Sequence, residues 1–237
     1  MEWNKGALLY EGKAKKVYES DDQRYVIVEY KDDATAFNGE KKGQIKDKRR
    51  VNNLVSAKMF GILEERGIPT HYVKTLKDHE MVVKHCDIIP VEVIVRNVAA
   101  GGMAKKLGLD EGGDLIPPVV EYCLKSDSLS DPMINNDHIR ALGLATEEEM
   151  EIIRSLSLRI NEVLKEVYLK AGLGLVDFKL EFGRHEGEII LGDEISPDTC
   201  RLWDIKTGES MDKDRFRRDL GYVEEAYQEV LKRISAL

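Results

Sequence analysis

From Leu175 to Asp204 apolar and polar residues alternate along the chain. Asp177, Lys179 and Glu181 fall on one face and Phe178, Leu180 and Phe182 on the other, the two-residue period of a strand. Gly183 and Gly187 bracket a polar turn, so the stretch reads as a hairpin. Its return arm, Glu188 to Gly192, delivers Asp193. If odd positions keep one face, Glu181 and Asp193 stand beside Lys179. Two carboxylates near a core are costly unless neutralised. A divalent cation shared with phosphate oxygens would neutralise them, since Mg²⁺ takes one or two carboxylates plus substrate phosphates. The plainer reading is an edge hairpin with its charges in water. Ser196-Pro197-Asp198 then breaks the strand, and Arg201 follows close to the acids.

Around this hairpin the pattern predicts further elements. Leu8 to Tyr18 reads as strand, tight turn and strand, with Gly12 at the turn and Lys13 and Lys15 on one side. Paired cations over a glycine turn suit triphosphate oxygens, although lysines beside turns are commonly just solvated. Tyr25–Tyr30 is a β-branched, aromatic strand. The basic run Glu40–Arg50 reads as an anion patch or, preferably, as the exposed face of an amphipathic helix. That helix buries Val51, Leu54, Val55, Met59 and Leu63 and ends at Gly67, ahead of Pro69. Met81–Asp87 is a strand leaving the first sheet, and Val91–Val95 a buried strand ending in Arg96-Asn97. Val98–Gly108 is a small-residue turn and short helix, either an anion site with Arg96 or a flexible turn. Leu115–Lys125 is extended, and Ser126–His138 is loop. Thr146-Glu147-Glu148-Glu149 is a capping box that opens a long helix ended by Gly172. Asp212 opens a last helix burying Phe216, Leu220, Val223, Tyr227, Val230, Leu231 and Ile234, with Lys213, Arg215, Arg217 and Arg218 in its first turns.

Composition narrows the classes. The 237 residues suit one large domain or two lobes around a cleft. A net charge of -8 argues against nucleic acid or an anionic membrane as the main partner. Cys86, Cys123 and Cys200 have neither zinc nor disulfide spacing, which points to a reducing cytoplasm. The start of the chain shows no signal peptide, and no apolar run is long enough to span a bilayer. The five histidines lack metal-ligand spacing, and no serine sits in a nucleophile elbow.

Five segments, GKAKKVY (Gly12–Tyr18), IPVEVIVRN followed by VAAG (from Ile89), VDFKLEFG (Val176–Gly183), GDEISPDTCRLWD (Gly192–Asp204) and MDKDRFRRDLG (Met211–Gly221), together resemble the phosphoribosylaminoimidazole-succinocarboxamide synthase (SAICAR synthetase) family. The resemblance covers nearly the whole chain, in order. It implies an ATP-dependent ligase joining the carboxylate of carboxyaminoimidazole ribonucleotide (CAIR) to the amino group of L-aspartate. The products are SAICAR, ADP and phosphate, within purine biosynthesis. A carboxylate is a poor electrophile; transfer of the γ-phosphoryl group would convert it to an acyl phosphate. Phosphoryl transfer asks a protein for positioning, Mg²⁺ and cations.

The resemblance also implies roles. Gly12, Lys13, Ala14 and Lys15 would hold the ATP phosphates, and Lys84 to Ile88 would border the adenine. Glu181 and Asp193 would bind Mg²⁺. Arg96 and Arg201 would grip the CAIR phosphate, where a planar fork fits better than an ammonium. Lys179 would lie near the reacting carboxylate and Asp198 would face the aspartate amine. Arg215 would serve substrate anions. Gly102 stands where the family often has serine, so a hydroxyl donor to that phosphate is missing. The implied fold is α+β in two lobes, SAICAR synthase-like and akin to ATP-grasp and kinase plans. Residues 1–83 would form a small antiparallel lobe and 84–237 a larger α/β lobe, with ATP in the cleft. A homo-oligomer, a dimer first, is implied as well. A small-molecule kinase and a nucleotide-binding module without turnover are the alternatives.

Overall fold

The structure is a computed structural model and describes residues 3–36 and 39–237. Strands β1 (Leu8–Glu11), β2 (Lys15–Glu19) and β3 (Tyr25–Tyr30) run antiparallel. A small hairpin, β4 (Asp33–Ala36) and β5 (Lys41–Gln44), leads to helix α1 (Lys48–Glu65). Strands β6 (Tyr72–Lys77) and β7 (Glu80–Lys84) complete a five-stranded sheet, ordered β1-β2-β3-β7-β6. The second sheet starts with β8 (Asp87–Val98), α2 (Gly101–Leu107), β9 (Asp114–Leu124) and β10 (Met133–Ile134). Helices α3 (Asn136–Ala141) and α4 (Glu147–Lys170) come next, then β11 (Leu173–His185), β12 (Glu188–Leu191) and β13 (Cys200–Asp204). Its order is β10-β9-β8-β11-β12, with β13 also paired antiparallel to β11. Two helices, α5 (Asp214–Arg217) and α6 (Val223–Ser235), close the chain.

The period of two decides what faces the cleft. On β8, Ile89, Val91, Val93 and Val95 are buried, which leaves Glu92, Ile94 and Arg96 on the opposite face. On β11, Phe178, Leu180 and Phe182 are buried, while Asp177, Lys179 and Glu181 line the cavity. Each such apolar side chain removed from water contributes about 1.5–3 kcal/mol. Helix α4 covers the second sheet through Ile153, Ile160, Leu164 and Val167, with the Thr146/Glu149 capping box in place. Helix α1 buries Val51, Val55, Met59 and Leu63, and packs on β3, β6 and α6. The sheets are stitched where Leu191 donates to Pro69 (3.0 Å) and accepts from the His71 amide (2.8 Å).

Four expectations change. The hairpin turn is tighter: β11 runs through Gly183 to His185, and Glu186 (φ 49°) and Gly187 (φ 86°) make the turn. Gly183 instead permits close packing, since a Cβ there would lie 2.7 Å from Cys86 Sγ. The basic run is not one helix, because Lys41–Gln44 pair as β5, and Lys48 is fully buried rather than solvated. The stretch Ser126–His138 contains β10, recruited by pairing with β9, and the start of α3, capped by Asn135 and His138. The last helix is two helices: Asp219, Gly221 and Tyr222 take φ of 54°, 71° and 51°, and Leu220 is exposed.

Candidate active site

A cleft of about 780 Å³ opens between the sheets, lined from β1–β3 on one side and from β8, β11, β13 and α5 on the other. At its centre lie the carboxylates of Glu92, Glu181, Asp193 and Glu194 and the ammonium groups of Lys15, Lys125 and Lys179. Lys179 Nζ donates to Glu181, to Glu92 (3.1 Å) and to Asp193 (3.3 Å). Lys15 Nζ donates to Asp193 and sits 3.1 Å from Glu194, and Lys125 Nζ donates to Glu181 (2.8 Å). Burial opposes the charge on Lys15 and Lys179, but the surrounding carboxylates outweigh it and raise both pKa values. Burial likewise opposes ionisation of Asp193; Lys15 and Lys179 overcome it and hold the carboxyl below its usual range. Glu92 goes the other way, raised by burial and by Glu181. Asp193 adopts φ 57°, uncommon outside glycine, as the chain leaves β12.

Four carboxylates against three ammonium groups leave one negative charge over. Among the described residues no group of three or more His, Cys, Asp and Glu side chains is arranged to hold a metal ion. Glu181 and Asp193 are instead bridged by Lys179 Nζ, which donates to both.

A second cluster lies towards α2. Asp177 Oδ2 accepts from Arg96 Nη1 (2.7 Å) and from Arg201 Nη1 (2.5 Å). Glu121 accepts from Arg96 Nε (2.6 Å), and Asp214 from Arg201 Nε (2.7 Å). The guanidinium groups are thus braced from both ends, as planar forks require. Gly101 (φ 57°) opens α2 beside them; a Cβ there would stand 2.9 Å from Arg201 Nη2. A Cβ at Gly102 would meet nothing within 4 Å, which leaves room where a serine would stand.

The third cluster surrounds Asp198. Its Oδ2 accepts from Lys48 (2.9 Å) and Lys213 (3.2 Å), and its Oδ1 from Tyr227 (2.7 Å). Burial opposes ionisation, yet Lys213 and Lys48 hold this carboxyl well below the usual range. At the far end, Val17, Val26 and Val83 give apolar walls beside Lys84, Cys86 and Ile88. Lys84 is fixed there by Thr70 O (2.9 Å). His71 lines the same end and is kept neutral by burial and by nearby Lys15, its pKa lowered to about 3.

The structure thus brings Gly12, Lys13, Ala14, Lys15, Lys84, Ile88, Arg96, Lys179, Glu181, Asp193, Asp198 and Arg201 to one cleft. Three expectations need correction. Lys13 and Lys15 both line the cleft but not as neighbours on one strand: Lys13 lies in the turn before β2 and pairs with Asp127 (2.7 Å), while Lys15 reaches the central acids. Arg215 does not face the cleft; its guanidinium donates to Ser210 O (2.5 Å), Gly221 O (3.1 Å) and Glu209 (3.0 Å) and so pins the α5–α6 bend. Asp198 has both oxygens engaged by cations and a phenol, so it anchors lysines rather than offering a free base. Reasoning from sequence passed over Glu92, Lys125 and Glu194. Glu92 was detectable as a charge inside the otherwise apolar strand Val91–Val95; Lys125 had no local signal.

A two-sheet α+β protein whose cleft gathers lysines and arginines around buried carboxylates has the groups that an enzyme handling anionic small molecules needs. The family profile described as SAICAR synthetase matches residues 8–234, and the chain belongs to that family. A phosphoribosylaminoimidazole-succinocarboxamide synthase from Caldanaerobacter subterraneus subsp. tengcongensis is 60% identical over 230 residues, spanning 97% of this chain and 98% of that protein. The crystal structure of the synthase from Ehrlichia chaffeensis superposes with a TM-score of 0.95 at 43% identity, covering 98% and 99% of the two chains. A SAICAR synthetase solved in complex with ADP gives 0.93 at 49% identity, covering 96% and 97%.

Proposed function

We propose that this chain is an ATP-dependent ligase that joins CAIR to L-aspartate, giving SAICAR, ADP and phosphate for purine synthesis. The observation that carries the reading is one cleft in which Lys15 and Lys179 share Asp193 while Arg96 and Arg201 share Asp177. The first group suits a triphosphate and the second a sugar phosphate, and Lys179 of the first stands two residues along β11 from Asp177 of the second. The Gly12–Lys15 turn, closed by the Gly12 amide on Lys15 O (2.8 Å), would receive the phosphates. Lys13 would exchange Asp127 for a phosphate oxygen, and Lys84 to Ile88 would border the base. Arg96, Arg201 and the Gly102 amide would hold the CAIR phosphate.

Mg²⁺, held by Glu181 and Asp193, would supply charge neutralisation on the phosphate oxygens. Lys179 would orient the CAIR carboxylate, one oxygen of which forms a bond to the γ-phosphorus as the bond to the ADP oxygen breaks. The amine nitrogen then attacks the acyl carbon, the carbon–oxygen bond to phosphate breaks, and the proton that nitrogen gives up passes to the departing phosphate. Lys15 and Lys179, held charged by their carboxylates, offset the charge that develops on the transferring group. In this reading residues 1–83 act as the ATP-covering lobe and 84–237 carry CAIR and aspartate. A cytoplasmic setting, consistent with the free thiols of Cys86, Cys123 and Cys200, and a homodimer belong to the same proposal.

The test is ADP release from purified protein with ATP, Mg²⁺ and CAIR, with and without L-aspartate. Dependence on both substrates is expected. Release that ignores aspartate would make the chain a kinase, and no release would make it a binding module.

A further inference from the structure

Between β12 and β13 the segment Gly192–Thr199 carries Asp193 and Glu194 yet belongs to no strand or helix. Its ends are tied to β11, where the Gly192 amide donates to Glu181 O (2.8 Å) and Thr199 O accepts from the Lys179 amide (2.9 Å). Its middle is held from elsewhere. Ser56, fully buried on α1, donates its hydroxyl to Ile195 O (3.1 Å) and accepts from the Ile195 amide (3.2 Å). One hydroxyl, with one donor and two lone pairs, thus engages both backbone groups of a single residue 139 positions away. A helical serine can instead turn its hydroxyl onto its own helix, as Ser157 does on α4 with Ile153 O (2.7 Å). The clasp falls beside the central charges. The Ile195 amide belongs to the peptide unit that follows Glu194, and Glu194 lies 3.1 Å from Lys15 Nζ. Two residues before Ile195, Asp193 takes φ 57° and accepts from Lys15 and Lys179. Such a conformation persists only where its surroundings over-determine it. Eight residues before Ser56, on the same side of α1, Lys48 holds Asp198 (2.9 Å), so one helix grips the segment at two points. Asn52, between them, is fully buried, and its amide forms no hydrogen bond among the described residues.

We propose that Ser56 is a positioning residue: its clasp on Ile195 sets the direction in which Asp193 and Glu194 meet Lys15, so that α1 holds the phosphate-handling face of the cleft in shape. The inference rests on the ligase reading and deepens it. The hydroxyl fixes the peptide planes on both sides of Ile195 before any substrate arrives. Removing it leaves a buried donor and a buried acceptor unpaired, and the segment would relieve them by opening or shifting. A shift near 1 Å in groups that position a transferring phosphoryl group can cost about 10²-fold in rate.

The experiment compares Ser56→Ala and Asn52→Leu with the parent, by hydrogen exchange of the ligand-free protein and by steady-state kinetics. In Ser56→Ala, residues 192–199 should exchange about tenfold or more faster, while β8 and β9 keep the parental protection. Its kcat should fall about 10- to 100-fold, with the CAIR KM within about threefold. The CAIR requirement is spared because Arg96 and Arg201 are braced by Asp177, Glu121 and Asp214 rather than by Ser56. Asn52→Leu, one turn away on the same side of the helix, removes an amide without hydrogen bonds and should leave both readouts near the parental values. Unchanged exchange of the segment, or an unchanged kcat, in Ser56→Ala would overturn the proposal. So would faster exchange throughout the chain, or an equal loss in Asn52→Leu, since either would make Ser56 a packing residue only. If the parent itself showed no turnover, the ligase reading would fall, and the exchange comparison would still decide whether the clasp orders the segment.

Discussion

Replacing Asp198 by alanine tests the join between α1, β13 and α6 that forms one wall of the cleft. Lys48 Nζ donates to Asp198 Oδ2 at 2.9 Å, and neither side chain is more than 4% exposed. Removing the carboxylate leaves an ammonium in a space without counter-charge. It also leaves Tyr227 Oη without its acceptor and Lys213 without its brace. Breaking a buried pair by deleting one partner costs about 3–5 kcal/mol. The net value of the pair is smaller than that, because both ions were stripped of water to make it. Urea unfolding at pH 7.5 should therefore show Asp198→Ala less stable by about 3–5 kcal/mol. The double variant Asp198→Ala/Lys48→Met should recover at least about 1 kcal/mol relative to the sum of the single changes. The sign with pH follows from the depressed carboxyl: its stabilisation is present above the unfolded-state value and lost as pH falls through the folded one. A single variant within about 1 kcal/mol of the parent, or strictly additive singles, would refute the reasoning.

Asp193→Asn should lower kcat by about 10²–10³-fold, with the deficit deepest at low Mg²⁺; a near-normal rate at limiting Mg²⁺ would remove Asp193 from the site. Arg201→Lys should raise the CAIR KM about tenfold and leave that for ATP unchanged, since the fork that meets Asp177 and Asp214 becomes a point contact. Asp212 has its carboxyl pushed up to about 7 by burial and by Asp214. The folded state therefore holds a proton that the unfolded chain gives up, and stability should fall from about pH 4 to pH 7. Asp212→Asn should flatten that slope in unfolding curves taken across the range, and an unchanged slope would assign the titration elsewhere.

Much of the site was legible because it sits on strands. Alternation alone placed Asp177, Lys179 and Glu181 on one face of β11, and the return arm brought Asp193 to Lys179. Long helices with regular stripes and caps, such as α4, were equally plain. What could not be read locally was made by contacts distant in sequence. Lys48 looks like one more solvated lysine until Asp198, 150 residues on, is folded against it. Lys125 meets Glu181 only through the order β9-β8-β11. Lys13 and Lys15 looked equivalent because the turn that separates them has no period. Arg215 looked like a site residue because nothing in its neighbours announces that backbone carbonyls will consume its donors.

The central claim is that the chain activates a carboxylate by phosphoryl transfer before joining it to an amine. The most direct measurement follows isotopically heavy oxygen placed in the CAIR carboxylate through a turnover with ATP and L-aspartate. One heavy oxygen in the released phosphate for each SAICAR formed is the predicted result. Phosphate carrying none, alongside normal product, would contradict the account.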